Sequence, residues 1–110
     1  MKETLQTIYN ALDDKKGIDI KIIDIKNLTP ISDYFIIASG TSKNQVQALA
    51  DNVSFELSKK GIEYSQIEGY NSGNWILMDY NDFIIHIFDQ DSRIFYDLER
   101  IWRDGEVVEL

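Results

Sequence analysis

Residues 75–88 read WILMDYNDFIIHIF, a segment whose pattern predicts how the neighbouring chain pairs. Two largely apolar runs flank Asn81-Asp82, and both residue types are favoured in tight turns because they tolerate a left-handed backbone. The pattern therefore predicts a β-hairpin with a two-residue turn, in which Tyr80 pairs with Phe83. The register that follows sets Asp79 opposite Ile84, Met78 opposite Ile85, Leu77 opposite His86, Ile76 opposite Ile87 and Trp75 opposite Phe88.

The two faces of this hairpin differ in character, because neighbouring side chains of a strand point to opposite sides of the sheet. One face is apolar and is predicted to be core: Ile76, Met78, Tyr80, Phe83, Ile85 and Ile87. The other mixes large apolar groups with an acid and an imidazole, as partner surfaces do. It is the candidate partner-binding surface: Trp75, Leu77, Asp79, Ile84, His86 and Phe88. In the alternative interpretation helices cover this face, and Asp79 and His86 satisfy each other.

Apolar periodicity on either side of the hairpin predicts the other elements. Residues 34–38 read YFIIA, a continuous apolar run that predicts a strand buried on both faces. The order mixes helices and strands without strict alternation, so we expect the α/β class (α+β mixed), with a mixed sheet of about five strands covered by helices. Helices are predicted over 3–13, from Ser42 to Gly61 and from Asp91 or Ser92 onward, and strands over 18–22, 34–38, 64–67, 75–79 and 83–88.

The ends and faces of the helices carry their own signals. Ser42 and Gln45 match a capping box, in which two side chains satisfy two orphan amide donors. Gly61 is predicted at the left-handed position that closes the second helix. The third helix is predicted to have an apolar face formed by Phe95, Leu98, Ile101 and Trp102. Glu99 and Arg103 form a favourable pair on it. Its predicted docking face consists of Tyr96, Glu99 and Trp102.

Length and composition exclude several classes of protein. A chain of 110 residues fits one domain, 1–110. It has no cysteine and a single histidine, so disulfides, Cys-ligated metals and a His pair are ruled out, and we expect no metal and no cofactor. No apolar run approaches the ~20 residues of a membrane span, and residues 1–10 lack the features of a signal or transit peptide. We therefore expect a cytoplasmic protein with no membrane contact.

The net charge of −8 is concentrated in one part of the chain. Residues 1–62 carry eight acidic groups and eight lysines, whereas residues 63–110 carry eleven acidic groups and three arginines. Such a field repels nucleic acid and anionic lipid and favours a basic partner. A solubilising surface is the alternative interpretation of the same charge.

Several motifs in a fixed order resemble a known family. Residues 33–42 read DYFIIASGTS, and the similarity continues through Gln45, Glu68-Gly69, Trp75–Tyr80, His86–Phe88 and the spacing from Arg93 to Trp102. Together they resemble the ribosomal silencing factor family, also called Iojap or YbeB, over about residues 3–103. One departure is Asn81, where the family usually has glycine. Residues 105–110 are unmatched and are expected to be a tail of the single ribosomal silencing factor domain.

The resemblance implies a function that composition alone does not. Proteins of this family bind the large ribosomal subunit through ribosomal protein L-fourteen, on the face that meets the small subunit. Occupying that site blocks subunit joining and represses translation when nutrients are scarce. The block is steric, so no enzyme activity is expected. The acidic half of this chain suits a basic ribosomal protein and argues against direct sequence-specific contact with nucleic acid.

Two other functions stay open at this stage. The family's fold is similar to that of nucleotidyltransferases, in which a Gly-Ser turn and paired acids hold magnesium and a triphosphate. The matching residues here would be Gly40-Thr41-Ser42 and Asp89-Gln90-Asp91. Both segments are also typical of helix caps. Alternatively, the protein is an assembly factor for another ribosomal target, with rRNA phosphates near Lys15, Lys16, Lys59 and Lys60. A homodimer through the aromatic residues of the candidate partner-binding surface is a further alternative.

Overall fold

A mixed sheet forms the centre of the fold. The structure, a computed structural model, describes the backbone of residues 1–110 and every side chain except those of Phe95, Glu99 and Ile101. The elements of the described chain are, in order, α1 (Lys2–Asp14), β1 (Ile18–Asp24), β2 (Tyr34–Gly40), α2 (Lys43–Ser58), β3 (Gln66–Glu68), β4 (Trp75–Asp79), β5 (Phe83–Asp89), α3 (Gln90–Tyr96), α4 (Leu98–Ile101) and β6 (Glu106–Val107).

Across the residues that the structure describes, six strands form one sheet in the order β3-β4-β5-β2-β1-β6. β2 and β5 are parallel neighbours in the middle, and the other neighbouring pairs are antiparallel. The side chains of β2 and β5 are buried along almost their whole length, which confirms the prediction that 34–38 is a strand buried on both faces. The predicted α/β class with a mixed sheet is confirmed, with one strand more than the expected five.

Two apolar clusters lie on opposite faces of the sheet, because alternate residues of each strand enter one or the other. The larger cluster joins the apolar faces of α1 and α2 to the sheet, and it includes the whole predicted core face of the hairpin: Ile76, Met78, Tyr80, Phe83, Ile85 and Ile87. The smaller cluster lies on the other face, with Leu98 and Trp102 packed against it: Ile23, Ile25, Phe35, Ile37, Ile84 and Phe88. Helices therefore pack on both faces, with α1 and α2 on the larger cluster and Leu98 and Trp102 on the smaller one.

The start of α2 forms half of the predicted capping box. The Ser42 hydroxyl accepts from the Gln45 backbone N–H at 3.1 Å, as predicted. The Gln45 side chain bonds elsewhere: its Oε1 accepts from the backbone N–H and hydroxyl of Thr41, and its Nε2 donates to the carbonyls of Lys15 and Lys16. Gln45 thus ties the start of α2 to the end of α1.

The end of α2 follows the glycine signal. Gly61 has φ +76°, its N–H donates to the Ser58 carbonyl, and the Ile62 N–H donates to the Leu57 carbonyl. These two bonds form a Schellman motif with Gly61 in the left-handed position, which confirms the prediction for this residue. Ile62 then packs against the main cluster, so the motif also sets the direction in which the chain leaves the helix.

The C-terminal part differs from its prediction in two places. The third helix begins at Gln90 and is interrupted at Asp97, whose φ of +46° separates α3 from α4. The predicted roles of Phe95, Glu99 and Ile101 lie outside the described side chains. Residues 105–110, expected to be a tail, contribute β6, which pairs with Ile23 and Asp24 of β1. A strand of two residues is too short to show periodicity, so no sequence pattern predicts it.

Candidate partner-binding surface

The hairpin has the register that the turn predicts. Trp75 lies opposite Phe88, Leu77 opposite His86 and Asp79 opposite Ile84, and the Tyr80 N–H donates to the Phe83 carbonyl. Asn81 takes φ +72°, which its short polar side chain tolerates. The six candidate residues therefore share one face of β4 and β5, as predicted.

Burial divides these six residues into two sets of three. Ile84, His86 and Phe88 on β5 are 8%, 4% and 1% exposed, so they form the floor of the face. Trp75, Leu77 and Asp79 on β4 are half-buried and retain surface. The difference follows from the sheet order, since β4 lies one strand closer to the edge than β5. Only the β4 residues of the predicted set therefore offer substantial contact area in this structure.

An aromatic cluster surrounds Trp75. Its ring centroid lies 4.6 Å from that of Tyr96 and 5.1 Å from that of Phe88. Tyr96 on α3 is 42% exposed, so this ring extends the surface beyond the strands. We define the aromatic surface as Trp75, Leu77, Asp79 and Tyr96. Rings that are partly exposed and already held in place are the usual anchors of protein interfaces.

His86 is buried under this surface and bonds to Trp75. The Trp75 Nε1–H donates to His86 Nδ1 at 3.0 Å. Burial lowers the pKa of His86 from 6.5 to about 4, so the ring is neutral at physiological pH. Because Nδ1 accepts, the proton of the neutral ring is on Nε2, and that atom has no hydrogen-bond partner among the described residues.

Asp79 does not bond to His86. The carboxylate of Asp79 accepts from the backbone N–H of Asn81 at 2.8 Å, and so it supports the hairpin turn. The alternative interpretation of the sequence, in which Asp79 and His86 satisfy each other, is wrong for this pair. The same interpretation also predicted that helices cover this face, and this is partly correct, since Leu98 and Trp102 cover the smaller cluster.

Trp102 packs inward instead of extending the exposed surface. It is half-buried, and its ring lies 5.3 Å from Phe35 in an edge-on arrangement. Of the predicted docking face of the last helix, Tyr96 is the residue that the structure places beside Trp75. Trp102 helps to hold α4 on the sheet, and Glu99 lies outside the described side chains.

Arg93 positions the helix that carries Tyr96, and sequence reasoning missed this role. Its Nη1 donates to the Ser39 hydroxyl at 2.9 Å and to the Ile18 carbonyl at 3.2 Å. The guanidinium thereby ties α3 to β2 and β1, more than fifty residues away in the chain. A contact at that separation leaves no local pattern, so the sequence offered no signal for it.

The residues of the enzyme alternative act as caps in this structure. Asp89 is the N-cap of α3, and its carboxylate accepts from the Ser92 N–H at 2.7 Å. Ser42 caps α2, as described above. Among the described residues, no group of three His, Asp or Glu side chains is placed to hold a metal ion. Likewise, no described helix is long and apolar enough to cross a membrane.

The fold and this surface define a mixed α/β protein whose sheet carries a half-open aromatic face. The chain belongs to the family described as "Ribosomal silencing factor during starvation", whose model matches residues 1–110, including the segment that the sequence motifs left unmatched. A ribosomal silencing factor of Halalkalibacterium halodurans is 39% identical over 109 residues, which is 99% of this chain and 93% of that protein. One of Bacillus subtilis is 35% identical, over 99% of this chain and 92% of that protein. A crystal structure of a Chromobacterium violaceum protein matches with a TM-score of 0.91 at 34% identity, over 100% of this chain and 91% of that one.

Proposed function

We propose that this protein binds the large ribosomal subunit through ribosomal protein L-fourteen and thereby blocks joining of the small subunit. Family membership supports a regulatory role on the ribosome, and the resemblance of the motifs supports this particular contact. The block is steric: a protein bound on the joining face excludes the other subunit. The function is therefore translational repression in the cytoplasm, without catalysis and without a cofactor.

The observation that carries the proposal is the aromatic surface. Trp75 combines remaining exposure with ring contacts to Tyr96 and Phe88 and a hydrogen bond from its indole. A large side chain that is held in its bound orientation loses little conformational entropy on association. Leu77 and Asp79 lie on the same strand face and add apolar and acidic contacts. Such a surface suits a basic protein partner better than it suits RNA phosphates.

Co-sedimentation with isolated subunits tests the proposal. The protein is mixed with purified large or small subunits and spun through a sucrose gradient. We expect it to travel with the large subunit only, and association with neither subunit would refute the proposal. In a light-scattering assay it should lower the joined fraction when it is added to separated subunits, and it should spare preformed couples. Equal inhibition of preformed couples would contradict a steric block.

The variant Trp75→Ala tests the surface. We expect it to lose about ten-fold or more in affinity for large subunits, the scale of a hot-spot truncation, while circular dichroism shows a folded protein. The matched control is Phe55→Ala, which removes an aromatic ring that is 61% exposed on α2, away from this face. The control should bind as the wild type does. Equal binding by both variants would mean that the interface lies on another part of the protein.

The proposed homodimer would use the same aromatic surface and so compete with the ribosome. Light scattering after size-exclusion chromatography, over a range of protein concentrations, measures the self-association. If a dimer forms through this surface, Trp75→Ala should weaken it and Phe55→Ala should not. A dimer that both variants leave intact would use another surface.

A further inference from the structure

We propose that His86 is a positioning residue, whose Nδ1 fixes the orientation of the Trp75 indole and so sets the shape of the aromatic surface. This inference rests on the function proposed above, because it concerns how the anchor of that surface is held. Three observations carry it: the geometry of the pair, the way in which the imidazole is itself held, and a second ring nitrogen that no described residue partners.

The hairpin register makes His86 and Trp75 neighbours. Leu77 lies opposite His86 and Trp75 opposite Phe88, so His86 and Trp75 are diagonal neighbours on one face of β4 and β5. The indole N–H reaches Nδ1 at 3.0 Å, an ordinary hydrogen-bond distance. A bond to the indole nitrogen selects one orientation of the ring, whereas the tilted contacts with Phe88 and Tyr96 restrict that orientation less sharply.

The acceptor is itself rigid. The imidazole is 4% exposed and meets the edge of Phe35, with ring centroids 4.8 Å apart and planes at 70°. On its other side it lies nearly parallel to Phe88, at 10° and 6.3 Å between centroids. The hydrogen bond from the half-buried Trp75 to the buried His86 therefore restrains the indole at the surface. Binding residues need such support if they are to be preorganised.

The second ring nitrogen shows that the imidazole is costly in this position. His86 Nε2 is buried and has no hydrogen-bond partner among the described residues. A buried polar group without a partner opposes folding, and an apolar side chain of similar size would avoid that penalty. Among the bonds described for the ring, its hydrogen bond is the one to Trp75. We therefore infer that the residue serves the indole and not the stability of the core.

Two variants of nearly equal shape separate these roles. His86→Asn keeps an acceptor close to the position of Nδ1, since Oδ1 of asparagine occupies nearly the same place on the side chain. His86→Leu has the same branched shape without any acceptor. Both side chains branch at Cγ and end at the δ atoms, so neither reaches the positions of Cε1 and Nε2. Leu also removes the Nε2 donor, and we expect it to be at least as stable as Asn in urea unfolding.

The expected result is an inverted order of binding and stability. His86→Asn should bind large subunits within about three-fold of the wild type, whereas His86→Leu should lose about ten-fold or more. In NMR spectra of the free protein, the Trp75 indole proton should stay protected from exchange in the wild type and in His86→Asn, and lose protection in His86→Leu. A residue with a purely structural role would instead give binding that follows stability.

Each other outcome has a definite meaning. If His86→Leu binds as the wild type does, or if its indole proton stays protected, the positioning role is overturned while the proposed function stands. If the wild type binds no subunit, the proposed function fails. The exchange of the indole proton in the three proteins then decides by itself whether His86 holds Trp75. Rapid exchange of that proton in the wild type would overturn the proposal.

Discussion

At the scale of single residues, the hydrogen bond between His86 and Trp75 accounts for the position of both side chains. Burial destabilises the charged form of the His86 imidazole, and its Nε2 has no hydrogen-bond partner among the residues that the structure describes. The indole gains a fixed orientation from the same contact. Sequence reasoning placed both residues on one face, and its alternative interpretation paired His86 with Asp79. The actual pairing depends on which diagonal neighbour a side chain reaches, and alternation along a strand does not specify that.

The depressed pKa of His86 predicts how stability depends on pH. The unfolded chain binds the proton near pH 6.5, whereas the folded protein binds it only near pH 4. The contribution of this residue to the free energy of unfolding is therefore complete above pH 6.5 and is lost as the pH falls to about 4. At 1.36 kcal/mol for each pKa unit, the loss is about 3 kcal/mol.

His86→Leu is the control for this prediction, because the carboxylates titrate alike in both proteins. Urea unfolding at several pH values between 7 and 4 measures both free energies. The difference between the wild type and His86→Leu should change by about 3 kcal/mol over this range, against the wild type at low pH. Parallel pH profiles would mean that the imidazole is protonated in the folded protein as readily as in the unfolded chain.

Gly69 predicts a second effect at the residue scale. It has φ +77°, and an added Cβ would collide with the backbone carbonyl oxygen of Trp75. Gly61 has nearly the same φ, +76°, with nothing within 4 Å of an added Cβ. Gly61→Ala therefore reports the cost of the left-handed backbone alone, about 1 kcal/mol. Gly69→Ala should cost at least about 1 kcal/mol more in urea unfolding. Equal losses of unfolding free energy for the two variants would show that the backbone at Trp75 shifts to accommodate the added methyl group without cost.

At the scale of elements, Gln45 joins two helices that the sequence treats as separate. Its Oε1 serves Thr41, while its Nε2 donates to two carbonyls at the end of α1. The turn that presents these carbonyls contains Lys16, with φ +63°. In an ordinary capping box glutamate serves as well as glutamine, and its charge favours the start of a helix. The donors of Gln45 make this position different.

Gln45→Glu should therefore destabilise the protein. The substitution keeps an acceptor for Thr41, but it removes both donors and places a negative charge against the carbonyls of Lys15 and Lys16. We expect a loss of about 1 kcal/mol in urea unfolding, comparable to that of Ser42→Ala, which removes the cap itself. A variant as stable as the wild type would mean that the start of α2 behaves as an isolated capping box.

What the sequence predicts well at this scale is local. The hairpin register, its core face, the strand at 34–38 and the end of α2 at Gly61 all follow from patterns within a few residues. The parallel pairing of β2 with β5, the link from Arg93 to Ser39 and the edge strand β6 join residues far apart in the chain. The break at Asp97 also lacked a signal, because a non-glycine residue rarely takes φ +46°.

At the scale of the whole molecule, the sheet order turns a charge difference along the chain into a charge difference in space. Residues 63–110 carry the excess of acid, and they contribute β3, β4 and β5 on one side of the sheet and the two-residue β6 at the opposite edge. No lysine or arginine occurs between residues 61 and 92. The neutral half supplies α1, β1, β2 and α2. The aromatic surface lies on the acidic side, so a basic partner would be drawn toward the anchors.

This arrangement predicts how salt acts on binding. Charges near an interface mainly set the rate of association, and they are screened as the Debye length shrinks from about 10 Å at 0.1 M salt to about 3 Å at 1 M. Higher salt should therefore slow association with ribosomal protein L-fourteen more than it speeds dissociation. Surface-plasmon kinetics with the purified protein measures both rates, and an association rate that salt leaves unchanged would contradict the expectation.

Asp79→Asn and Asp13→Asn locate the charge that matters. The first removes a charge from the far end of the strand face that carries Trp75 but keeps an oxygen to accept from the Asn81 N–H, so the turn is preserved. The second removes an equal charge from the exposed end of α1, in the neutral half. At low salt Asp79→Asn should slow association by about two-fold or more, and Asp13→Asn should have a smaller effect. At 1 M salt the two variants should converge, because screening removes the attraction that separates them. Equal slowing at low salt would show that the acidic half acts only as a solubilising surface and does not steer the partner toward the anchors.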